Sequence, residues 1–95
     1  MTIQAFAQIT VTDKETLLRY REKVAATLAK HSGSVVAADP APIVLEAATD
    51  APSTTALLSF PNVEAAQNWI DDPDLADVHA LRNSAGKSTI VVLPA

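Results

Sequence analysis

Thr54-Thr55-Ala56-Leu57-Leu58-Ser59-Phe60-Pro61-Asn62-Val63-Glu64-Ala65-Ala66-Gln67-Asn68-Trp69-Ile70 sets a strand directly before an amphipathic helix. Thr54 to Phe60 is rich in threonine and leucine, which suits a strand. Pro61 ends it, because proline has no amide to offer a ladder. Asn62 is then a helix N-cap, and Val63, Ala66, Trp69 and Ile70 follow at three- and four-residue spacing on one helical stripe. Leu57 and Ser59 alternate against Ala56, Leu58 and Phe60, so both faces of the strand carry apolar groups. A helix layer covers one face, and the other must meet something else.

Working outward toward the C-terminus, Asp72-Pro73-Asp74 restarts a helix, with aspartate at N-cap, proline at N1 and aspartate in the first turn. Leu75, Val78, Leu81 and Arg82 share its apolar face, Gly86 ends it, and Ser88 to Leu93 is the last strand. Toward the N-terminus, Ile3, Ala5, Ala7, Ile9 and Val11 alternate with Gln4, Phe6, Gln8 and Thr10, the pattern of a half-buried strand. Thr12 or Asp13 caps the helix that follows, whose stripe is Leu17, Tyr20, Val24, Leu28 and His31. Gly33 is expected to take the left-handed position after that helix. Ser34 to Ala38 reads as a short strand broken by Asp39-Pro40-Ala41-Pro42; Ile43 to Glu46 resumes the extended state, and Thr49 to Ser53 turns.

The order is strand, helix, strand, strand, helix, strand. This predicts an α+β, ferredoxin-like βαββαβ plan, an antiparallel sheet with helices on one face, and one domain over residues 1–95. For so short a chain, pairing two uncovered sheet faces in a symmetric homodimer is the economical arrangement.

Composition excludes many functions. The 95 residues hold no cysteine, so disulfides, iron–sulfur clusters, thiolate zinc and cysteine nucleophiles are ruled out. That removes the ferredoxin and metallochaperone uses of this topology. The net charge of −4 argues against a nucleic-acid surface, and Thr54 to Phe60 lacks the basic and stacked aromatic residues of an RNA-recognition strand. With two glycines in all there is no phosphate-binding glycine loop, and Ser34, Ser59 and Ser84 stand in no nucleophile elbow. Met1 to Phe6 carries no secretion signal, and no run approaches the ~18 apolar residues of a membrane span. The expectation is a cytoplasmic protein that binds neither membrane nor nucleic acid.

The stretch from Leu58 to Leu75 resembles the signature of the "domain of unknown function 1330" family: a strand ending in Phe-Pro, a polar cap, a Glu-Ala-Ala run, a tryptophan, then an Asp-Pro helix start. Val11-Thr12-Asp13, Tyr20, His31-Ser32-Gly33 and Leu81-Arg82-Asn83-Ser84-Ala85 fit as well, so the resemblance spans nearly the whole chain. It implies a dimeric α/β barrel and no established reaction. Where the family carries tyrosines after the tryptophan and two residues past the proline, this chain holds Ile70 and Leu75, so a pocket lined by those positions is either more aliphatic here or lost.

Trp69 to His79 is also similar to a segment of the haem-degrading monooxygenases of the antibiotic-biosynthesis-monooxygenase group. That likeness implies His79 as iron ligand and candidate catalytic residue, with Trp69 on the porphyrin. The competing reading, weighed higher, is a core tryptophan beside a solvent-facing histidine. His31 lies at a helix C-terminus, where the dipole favours an imidazolium, and it shows no metal-ligand spacing with His79. Asp71, Asp72, Asp74 and Asp77 lack the glycine and closing glutamate of a calcium loop, and capping explains them better than a metal. Arg82 falls on an apolar stripe, and a buried guanidinium needs a carboxylate or a bound anion; the competing reading is a structural salt bridge or a snorkelling stem.

The expectation is therefore a pocket between sheet and helices near Phe6, Gln8, Trp69, His79 and Arg82, taking a small apolar or acidic molecule without a cofactor. The alternatives are a cofactor-independent or haem-linked monooxygenase and a structural dimer without ligand.

Overall fold

Ile3, Ala5, Ala7 and Ile9 are buried while the residues between them are not, so β1 (Ile3–Val11) has one face in the core and one outside it. The computed structural model describes residues 2–94. Asp13 caps α1 (Lys14–Lys30), its carboxylate accepting from the Thr16 amide at 3.2 Å. The helix ends in a Schellman arrangement. The Gly33 amide donates to Leu28 O at 2.8 Å and the Ser32 amide to Ala29 O at 3.1 Å. The left-handed residue is Ser32, at φ 60°, and not Gly33 as expected. Gly33 is required for a different reason: a Cβ there would lie 2.7 Å from Cε1 of the buried Phe60 ring.

Next come β2 (Ser34–Asp39), β3 (Thr54–Phe60), α2 (Val63–Asp71), α3 (Ala76–Ala85) and β4 (Gly86–Leu93). Asn62 caps α2 by accepting from the Ala65 amide at 2.8 Å. The Asp72-Pro73 restart opens as a 3-10 turn, Pro73–Leu75, before α3 begins. The expected strand at Ile43 to Glu46 does not form. Pro40 and Pro42 remove donors, and the segment pairs with neither free edge of the sheet, β2 or β4. Ile43 and Leu45 are left 91% and 96% exposed.

The sheet order is β2-β3-β1-β4, and every pairing is antiparallel. This is the ferredoxin-like arrangement the element order predicted. Trp69, Phe60 and Leu28 are the largest fully buried side chains, and they join α2, β3 and α1. Val63 and Ile70, expected on the same stripe as Trp69, sit at its margin and remain partly exposed.

Register decides what each face offers. On the helix side, Ala38, Ala56 and Ala7 are direct neighbours across β2, β3 and β1. Methyl groups in a row cannot reach the helix above, so space remains beneath α1. On the other side, Ala37, Leu57, Phe6 and Val91 form one apolar row across all four strands. Polar rows flank it: Ser59 with Gln4, and Thr55 with Gln8 and Thr89.

Candidate functional site

His79 and Arg82 stand three residues apart on α3 and therefore on one face of it. Both are buried, at 7% and 4% exposure. The solvent-facing histidine expected from the sequence is corrected here. α3 packs against α1, and this turns its His79–Arg82 face inward.

His79 Nε2 lies 2.8 Å from Trp69 O, and its Nδ1 lies 2.8 Å from Arg82 Nη1. A carbonyl only accepts and a guanidinium only donates, so the imidazole is neutral, with its proton on Nε2. Burial pushes its pKa below the ordinary 6.5, and the Arg82 charge adds to that shift against the opposing effect of the Trp69 carbonyl. The ring meets Trp69 edge-on at 4.8 Å. Trp69 Nε1 donates to Thr27 Oγ1 at 3.1 Å, and Thr27 donates to Val24 O at 2.7 Å, which fastens α2 to α1.

The Arg82 guanidinium sits between two rings, 5.6 Å from the Tyr20 centroid and 5.5 Å from that of Trp69. Its Nη1 also donates to Tyr20 Oη at 3.4 Å. Of the two structural readings offered by the sequence, the salt bridge does not form: the carboxylate contacts of basic side chains among the described residues are Lys30 with Asp72 and Asp74, His31 with Asp72, and Lys87 with Asp50. Arg82 Nε is buried and has no hydrogen-bond partner.

The aspartates of the 72–74 segment act as caps and ties. Asp72 accepts from the Asp74 amide and holds Lys30 at 2.7 Å and His31 at 2.8 Å. These contacts, Lys30 foremost, hold the Asp72 carboxyl well below the usual carboxylate range.

A cavity of about 240 Å³ lies between α1 and the sheet. Ala7, Ile9, Leu17, Val24, Ala56 and Leu58 form apolar parts of its wall, and Tyr20 and Arg82 also line it. A second cavity, about 150 Å³, is lined by Trp69, Phe60, Ala66 and Ile90. The single pocket expected around Phe6, Gln8, Trp69, His79 and Arg82 is thus divided. Trp69 and Arg82 touch each other but open onto different cavities, because the tryptophan ring itself lies between α2 and the sheet. Phe6 and Gln8 are on the opposite sheet face, as odd-even alternation from Ala5 and Ala7 requires. Gln8 lines a polar groove there with Lys87 and Asp50. Tyr20 and the alanine row were not singled out in the sequence; Tyr20 gave a signal as the one hydroxyl on the α1 stripe, while the alanines gave none.

These residues do not fit haem. Both nitrogens of His79 are hydrogen-bonded, and the cavity beside Trp69 is about the size that holds one benzene, far short of a porphyrin. Among the described residues no group of three or more metal-ligating side chains converges.

The family model for the domain of unknown function DUF1330 matches residues 3–95. The chain belongs to the DUF1330 family. No curated protein matches it in sequence. Among solved structures, this DUF1330 chain is similar to a protein of unknown function from Rhodopseudomonas palustris, at 16% identity and TM-score 0.81, over 99% of this chain and 82% of that one. It is similar also to SnoaB, a cofactor-independent oxygenase from Streptomyces nogalater, at 14% identity and TM-score 0.71, over 99% and 92% of the two chains. A dimeric ferredoxin-like protein of unknown function from Jannaschia sp. CCS1 matches over 100% of both chains at 12% identity and TM-score 0.70. At these identities the DUF1330 chain shares their fold, and no specific role follows from the likeness.

Proposed function

We propose that this DUF1330 protein is a cytoplasmic homodimer that binds a small, largely apolar molecule in the cavity beneath α1. The observation that carries the reading is the cavity itself: about 240 Å³, apolar in its wall, and lined by Arg82, whose guanidinium has no carboxylate partner among the described residues. A 150 Å³ apolar cavity accepts benzene, so this one suits a ligand of roughly ten heavy atoms. The dimer is supported by the apolar row through Phe6 and by the dimeric fold relative. The oxygenase fold relative supports an enzymatic alternative, but His79 has neither nitrogen free and does not line the cavity, so we give it a positioning role.

Thermal denaturation with a panel of small aliphatic and aromatic compounds tests this. Some compound should raise the midpoint of the wild type by several degrees. Ala56→Leu, which fills the floor of the cavity, should abolish that rise. A panel without effect on the wild type, or equal rises in the filled variant, overturns the reading.

A further inference from the structure

We propose that the ligand of this cavity is a small carboxylic acid bound as its carboxylate, with Arg82 and Tyr20 as its hydrogen-bond donors. The proposal rests on the small-molecule reading above and specifies the ligand's head group.

Arg82 and Tyr20, which both line the cavity, each hold a donor that lacks an acceptor among the described residues. Of the Arg82 nitrogens, only Nη1 has partners among the described residues, and both are neutral: His79 Nδ1 and Tyr20 Oη. Because Tyr20 Oη accepts from Arg82, its own proton stays available, and no acceptor for it is present among the described residues. A guanidinium buried to 4% exposure without a counterion is costly to keep charged, and arginine cannot relieve the cost by losing its proton. An oxyanion at this spot would relieve it, taking charge-assisted bonds from arginine and a further bond from the tyrosine.

The rest of the cavity narrows the class. Among the described residues Arg82 is the one buried cation, so a monoanion is matched and a phosphate dianion is not. Arg21 and Asp39 are exposed at the rim and carry opposite charges; the Asp39 carboxylate is turned to its own loop, accepting from the Ala41 amide at 2.8 Å. The wall near Ala7, Ala56 and Leu17 is apolar and suits a short hydrocarbon chain. His79 positions the guanidinium: its neutral Nδ1 accepts from Nη1 and leaves the positive charge uncancelled.

Calorimetric titration with hexanoate and with hexanamide, its uncharged counterpart of similar shape, tests the proposal. The wild type should prefer the acid by about tenfold or more, as expected for hydrogen bonds to a charged group. Tyr20→Phe should weaken hexanoate by roughly tenfold and hexanamide, a neutral acceptor, by clearly less. Arg82→Met should erase the preference, and Tyr20→Phe keeps the test decisive where that variant fails to fold. Equal binding of acid and amide, or hexanoate binding unaffected by Tyr20→Phe, overturns the carboxylate assignment alone. Binding of neither has the same meaning when other compounds still bind and are blocked by Ala56→Leu; when none binds, the parent reading falls with it.

Discussion

His79 is a base whose surroundings favour its uncharged form, and this gives the fold a pH dependence of definite sign. Its folded pKa lies below the ordinary 6.5 of the unfolded chain, so the unfolded state takes up the proton first as pH falls. Stability contributed by His79 is complete above about pH 6.5 and declines below it. Asp72, also depressed, loses its contribution only below its ordinary 3.8, so the two windows are separate. Urea denaturation between pH 8 and pH 5 should show the decline in the wild type and a flatter profile in His79→Asn. At pH 8 that variant should be less stable by about 1–3 kcal/mol, because its loss strands the Trp69 carbonyl and an Arg82 N–H. The sequence showed Arg82 on an apolar stripe and asked for a counterion. It could not show that the nearest acceptor is a neutral imidazole, since that depends on which way α3 is rolled against α1.

At the scale of elements, helix ends and glycines carry separable effects. Ser32 pays the steric strain of a left-handed backbone in place of glycine, so Ser32→Gly should raise stability by roughly 0.5–1 kcal/mol in chemical denaturation. Gly33→Ala should lower it by about 1–3 kcal/mol, because the added methyl meets the buried Phe60 ring. Element boundaries were legible because caps and prolines mark them locally: Asp13, Asn62, Pro61 and Pro73 each stand where the structure needs them. The exchange of roles between Ser32 and Gly33 was not legible. The Phe60 ring that excludes a side chain at Gly33 arrives from a strand distant in sequence.

For the whole molecule, the uncovered sheet face is the feature with most consequence. Val91 is 46% exposed and sits beside Phe6 in the apolar row. If this face carries the proposed dimer, Val91→Lys should leave the protomer folded and turn a dimer of the wild type into a monomer in light scattering; a wild type that is already monomeric overturns the proposed dimer. The topology was readable from the order of strands and helices, since few arrangements satisfy it. The cavity was not. It depends on three alanines in three strands falling into one row, and register is a property of pairing rather than of any single segment.

The irregularity in β2 has a consequence of its own. Pairing with β3 shifts register between Val35 and Ala37, so Val36 is an extra residue on an edge strand whose residues are all exposed. A straight, apolar Ser34-Val35-Val36-Ala37-Ala38 edge would be an open template for another chain's backbone. The bulge twists that template out of shape, and Pro40 and Pro42 cut it short. The β2 edge is thereby a poor template for another chain's backbone, and the sheet's open backbone is confined to its other edge, β4.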